Sequence, residues 1–106
     1  MALSESLRQQ ISELVTKNRV VLFMKGTRQM PMCGFSAQVV QILNELLPTY
    51  ETVDVIRAPE IRDAIKEYSD WPTLPQLYVG GKFVGGCDIV SEMHASGELK
   101  KLVLGN

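Results

Sequence analysis

Five apolar residues in succession, Val20 to Met24, stand between polar neighbours. A run of that length without alternation predicts a strand buried on both faces, central in its sheet. Ahead of it, Leu7, Ile11, Leu14 and Val15 recur at helical spacing behind Ser4, an apt N-cap, so a first helix of about three turns should end near Lys17–Asn18. Behind it, Val39, Ile42, Leu43, Leu46 and Leu47 trace a second helix, from Gly34 or Phe35 to Leu47, which Pro48 stops. Tyr50 to Val55 alternates as a strand near a sheet edge does, and strand, helix, strand in so short a span is a parallel crossover. Pro59 suits the first position of a third helix, with Glu60 beside the positive end of its dipole and Ile61, Ala64, Ile65 and Tyr68 as its buried stripe. Gln76–Val79, Gly80-Gly81 and Lys82–Val84 read as a hairpin. Asp88 is then expected to cap a helix running to about Ala95, and Leu99, Leu102 and Val103 belong to a last short one.

This order predicts an α/β fold, a mixed four-stranded sheet flanked by helices on both faces, in one domain over residues 1–106. Several topologies satisfy it. The 45% hydrophobic content supports a single packed core, and no apolar run approaches the ~20 residues of a bilayer span. A net charge of -1, both signs scattered, leaves no basic tract for nucleic acid. Two cysteines are too few for a disulfide framework and suit a reducing compartment. The first ten residues lack a continuous apolar core and carry Glu5, unlike a secretory or transit segment. Cytoplasm is therefore the expected location, or an organelle matrix if the chain is a processed form.

The chemistry concentrates in Met24–Ser36, M-K-G-T-R-Q-M-P-M-C-G-F-S. Cys33 stands where the second helix begins, and unpaired N–H groups and the helix dipole there favour a thiolate, with a pKa below the free value of roughly 8.5. Lys25 directly follows the central strand, and its ammonium can extend over the same sheet end, lowering the thiol pKa and offering a cation to a ligand carboxylate. Three residues after Cys33 comes Ser36, which cannot close a disulfide. The thiolate is left as a nucleophile or as a soft metal ligand. Pro75 has no N–H, so the strand it opens leaves backbone groups of Leu74 available as a ligand edge. The plainer alternatives are an inert buried thiol, an exposed loop lysine and a rigid W-P-T-L-P loop.

Four motifs, K-G-T, P-M-C-G-F-S, W-P-T-L-P-Q and G-G-C-D, in this order and spacing, make the chain resemble the monothiol glutaredoxins of C-G-F-S type in their single-domain form. The resemblance implies a thioredoxin-like fold, two parallel strands beside an antiparallel hairpin, with a cis peptide before Pro75. It implies glutathione bound along the groove: Lys25 and Arg62 at the glycyl carboxylate, the Leu74 main chain at the cysteinyl part, and the Cys87 and Asp88 N–H groups with the Asp88 carboxylate at the γ-glutamyl head. It also implies a 2Fe-2S cluster held by Cys33 and glutathione thiolates across a homodimer and passed to apo iron-sulfur proteins, in iron and redox homeostasis. A glutathione-dependent thiol-disulfide oxidoreductase with Cys33 as nucleophile is the alternative, and a regulatory adaptor protein is a third kind of partner. Cys87 is open between a small apolar residue, a second thiol able to pair with Cys33, and the backbone contact, which is favoured. Trp71 is expected to pack near the groove, His94 to be structural or exposed, and Met30 and Met32 to form either a dimer or cluster surface or ordinary loop packing. Arg28 is open between a glutathione contact and a solvated cation.

Overall fold

The computed structural model describes residues 2–105. Its central strand β1 (Val20–Met24) is flanked on one side by β2 (Glu51–Asp54), parallel to it, and on the other by β3 (Gln76–Val79), antiparallel. The hairpin partner β4 (Lys82–Gly85) closes the order β2-β1-β3-β4. All five residues of β1 are buried, because both faces of the sheet are covered. Val20, Leu22 and Met24 pack with Val39, Leu43, Val90 and Leu99 of α2 (Gly34–Leu46), α4 (Cys87–Ser96) and α5 (Glu98–Leu104). Val21 and Phe23 face the opposite layer, where α1 (Glu5–Lys17) and α3 (Pro59–Ser69) supply Ile11, Val15, Ala64 and Ile65. The Phe23 and Tyr78 rings meet edge to face, centroids 5.7 Å apart and planes at 73°, one of the geometries that aromatic quadrupoles favour. This is the thioredoxin-like arrangement, two parallel strands beside an antiparallel hairpin.

Local chemistry sets the boundaries. The Ser4 hydroxyl accepts the Leu7 N–H at 3.1 Å and opens α1. Pro59 enters α3 at its first turn with Glu60. One boundary differs from expectation: Asp88 does not cap α4. The extended backbone of Gly86 makes that residue the N-cap, the helix starts at Cys87, and Asp88 lies within the first turn. Its carboxylate stands beside the positive helix end without acting as the cap. No helix among the described residues is long and apolar enough to cross a membrane.

Candidate functional site

The site lies at the C-terminal end of β1, where the chain leaves the sheet and doubles back to start α2. Gly26 donates its N–H to Asp54 Oδ1 at 3.0 Å, and the same oxygen accepts the Ile56 N–H at 2.9 Å. One carboxylate thus ties the loop after β1 to the turn after β2. Within the loop, Thr27 and Met30 exchange backbone hydrogen bonds at 3.1 Å, and the Met32 N–H donates to the Lys25 carbonyl at 2.8 Å. Arg28 turns away from the groove. Its Nε donates to Asn44 Oδ1 at 2.9 Å, an Nη donates to the Pro48 carbonyl at 3.2 Å, and the guanidinium lies 4.4 Å from the Tyr50 ring centroid. The residue is therefore a strut from the loop to the far end of α2, neither free in water nor directed at a ligand.

Cys33 is the N-cap of α2, with extended backbone at φ -154° and ψ 138°, and its side chain is partly exposed. The sulfur makes no formal capping hydrogen bond, yet the surroundings hold its pKa below the ordinary 9.0. The Ser36 N–H lowers it most; burial works against this; the Phe35 N–H, the Lys25 charge and the Ser36 hydroxyl add to the lowering. Ser36 itself is fully buried, and its Oγ accepts the Lys25 N–H at 3.2 Å. Where a dithiol site has its second sulfur, this chain has a hydroxyl built into the joint between loop and helix.

Across the groove, the Leu74–Pro75 peptide is cis. The fully buried Gln76 fastens this wall by donating Nε2–H to the carbonyls of Trp71 at 3.0 Å and Thr73 at 3.1 Å. Trp71 stacks at a tilt on Phe83, centroids 5.6 Å apart, which fits its expected packing role. From α3 come Arg62, whose Nε is 3.2 Å from Asp63 Oδ1 while remaining 44% exposed, and Lys66 one turn on. From α4 come Cys87 and Asp88. Burial raises the Cys87 pKa, opposed by the Ser91 hydroxyl and aided by the charges of Asp88 and Cys33. Both thiols are free. His94 pairs with Glu45 at 3.0 Å, linking α4 to α2 outside the groove.

Lys25, Cys33, Arg62, Leu74, Cys87 and Asp88 all line one cavity of about 960 Å³. Phe35, Ile56, Lys66 and Thr73 line it too. Lys66 has a signal in its spacing from Arg62, and Thr73 in its proline-bounded loop. Phe35 and Ile56 have none beyond being apolar and, in the fold, 61% and 51% exposed. Cations stand on the loop and α3 walls, an acid and a helix N-terminus on the α4 wall, and a polarised thiol between them. No group of three or more His, Cys, Asp and Glu able to hold a metal occurs among the described residues. Within one chain the site offers a nucleophile, or one soft ligand for a metal that others must complete.

The opposed shifts of the two thiols predict an order of alkylation. As pH falls below 9, Cys33 is expected to remain reactive toward iodoacetamide after Cys87 has become inert, since the thiolate is the attacking form and only Cys33 has its pKa lowered. Peptide mass spectrometry across a pH series reads this directly; equal labelling of both throughout would contradict it.

Comparison with known proteins points one way. A family model for glutaredoxin matches residues 20–84. The chain is 58% identical over 93 residues to the ycf64-like monothiol glutaredoxin of Synechocystis sp., covering 88% of this chain and 87% of that protein. The solution structure of reduced poplar apo GrxS14 superposes with a TM-score of 0.84 at 50% identity, over 99% of this chain and 96% of that one. A buckwheat glutaredoxin-glutathione complex superposes with a TM-score of 0.80 at 27% identity, over 96% and 94%.

Proposed function

The chain belongs to the glutaredoxin family, among its monothiol members, and on that premise we propose that it binds glutathione and carries a 2Fe-2S cluster shared across a homodimer. The carrying observation is the single accessible thiol of lowered pKa, Cys33, whose usual partner position holds a buried, hydrogen-bonded Ser36. Such a cluster usually takes four thiolates. One well-placed thiolate per chain accounts for two of them in a dimer, and two glutathiones supply the rest. The donor set fits, because Cys33 stands partly exposed at the mouth of a cavity large enough for a tripeptide thiol beside it. Because half its ligands are small and exchangeable, the cargo is held loosely enough to be delivered to apo iron-sulfur proteins.

The charge layout supports the glutathione reading. Lys25 and Arg62 face the position of the glycyl carboxylate, the Leu74 main chain pairs with the cysteinyl part as a short added strand, and the Cys87 and Asp88 N–H groups meet the γ-glutamyl head. Asp88, not engaged as a cap, keeps its carboxylate for the head's ammonium. Among solved neighbours, the buckwheat protein is a glutathione complex. Two free thiols suit a reducing compartment, cytoplasm or organelle matrix. A regulatory adaptor protein would meet the same thiol face.

The lowered pKa of Cys33 also favours a second reading, a glutathione-dependent oxidoreductase. There the thiolate attacks a glutathione mixed disulfide, expels the target thiol, and is itself released by a second glutathione as glutathione disulfide. Two assays on one preparation decide between them: transfer of the cluster to an apo-ferredoxin, and turnover of a glutathionylated peptide. Rapid transfer with slow turnover is the expected result. Rapid turnover by a protein that never takes up a cluster would establish the reductase instead.

A further inference from the structure

Among the described residues Gln76 is one of two fully buried polar residues, and Ser36, the other, already belongs to the Cys33 joint. Gln76 opens β3 opposite Phe23 of the central strand, so its main chain is fixed in the sheet. Its Nε2 protons go to the Trp71 and Thr73 carbonyls of the groove wall, while its Oε1 is buried without a protein partner. An unpaired buried oxygen carries a desolvation cost that an apolar side chain of the same shape avoids. Core packing alone therefore does not account for an amide here. The wall supplies the reason. Apart from the Trp71 N–H on the Lys66 carbonyl, no backbone hydrogen bond among the described residues holds residues 71–75, and Pro72 and Pro75 have no N–H to give. The two bonds from Gln76 tie this segment to the sheet and leave the Leu74 main chain free.

We propose that Gln76 is a positioning residue for glutathione, holding the Trp71–Pro75 wall in its binding form from beneath. The inference rests on the glutathione reading above. Two ligand positions depend on that wall. One is the Leu74 main chain, next in sequence to the carbonyl that Gln76 holds at Thr73. The other is the start of α4: a Cβ on its N-cap, Gly86, would lie 3.2 Å from the Pro75 carbonyl oxygen and 3.4 Å from Trp71 Nε1. The segment therefore seats directly against the residue that leads into the Cys87 and Asp88 amides. Ordering the wall before a ligand arrives removes that entropy loss from the binding step. Cys33 stands apart from this device, since Ser36, Phe35 and Lys25, which hold its thiol pKa down, lie on the opposite side of the groove and not on the wall.

The test titrates the full chain with S-methylglutathione, which keeps the tripeptide but cannot form a disulfide, and follows backbone amide shifts by NMR. Gln76→Met is close to the native side chain in volume and has no oxygen to leave unpaired. It is expected to stay folded, with the pH profile of Cys33 alkylation unmoved, while its affinity falls about tenfold, the size of one or two lost hydrogen bonds. The unaltered protein gives a second reading that needs no variant. By linkage the ligand must tighten the same bonds in return, so the Gln76 side-chain amide protons should exchange with water about tenfold more slowly at saturating ligand. Unchanged affinity in the folded variant, an alkylation profile that shifts along with the affinity, or side-chain exchange indifferent to ligand overturns this inference alone. Unaltered protein that shows no saturable binding of S-methylglutathione overturns the glutathione reading and this one with it.

Discussion

Replacing Cys33 by serine is expected to abolish cluster binding, with visible absorption after reconstitution falling to background, while leaving the fold intact. The two halves of that statement come from different physics. Cys33 holds the one thiolate whose surroundings, the Ser36 and Phe35 amides and the Lys25 charge, stabilise the anion, and a serine hydroxyl in the same place stays protonated and hard. It can neither attack a disulfide nor ligate iron of a cluster that prefers sulfur. Cys87 is the poorer ligand, since burial raises its pKa. The side chain is also only partly buried and makes no capping bond, and a serine at this N-cap position can accept a first-turn N–H, so stability should hold or rise by up to about 1 kcal/mol. Reconstitution and urea denaturation of the same variant separate the effects. A coloured Cys33→Ser protein would refute the ligand assignment.

Gly26→Ala is expected to be the most damaging small substitution near the site. Gly26 has φ +92°, and a Cβ there would lie 2.5 Å from the Met30 carbonyl oxygen, 2.6 Å from the Met32 nitrogen and 2.7 Å from Met32 Cγ. Two of those atoms are backbone and cannot swing aside. Strain at a positive φ and overpacking together predict a loss on the order of 2–5 kcal/mol. Relief must come from moving the segment that leads into Cys33, so the thiol's preferential alkylation should weaken as well. Gly34→Ala is the control. It begins α2, a Cβ there meets nothing within 4 Å, and helix propensity should make it neutral or stabilising by up to about 1 kcal/mol. Denaturation midpoints that match for the two variants would contradict the account.

The strands and helices were readable because burial leaves a period behind it. An unbroken Val20–Met24 run means two covered faces, and the structure covers both. Glycine pairs and prolines placed the hairpin and the α3 start for equally local reasons. What escaped the sequence is long-range. Asp54 looks like one more polar position of an edge strand, yet it joins two loops because β2 happens to end beside Gly26. Arg28 reads as either a glutathione contact or a solvated cation, yet the return of the chain after α2 brings Asn44, Pro48 and Tyr50 within its reach. Asp88 has the chemistry of a cap, but Gly86 turns the backbone into the helix first. For the site, position at a helix start pointed to Cys33, while Lys25 stood open between a ligand cation and an exposed loop lysine until the family resemblance favoured the first. Arg62 entered through the family resemblance, and only the fold brings it to the cavity that Cys33 opens into.

The most direct measurement is anaerobic reconstitution with iron, sulfide and glutathione, then sizing, with iron, sulfide and glutathione counted in each fraction. The account predicts a brown dimer holding one cluster and two glutathiones per two chains, and no colour when glutathione is left out. A colourless monomer, or a coloured species that forms without glutathione, would contradict it.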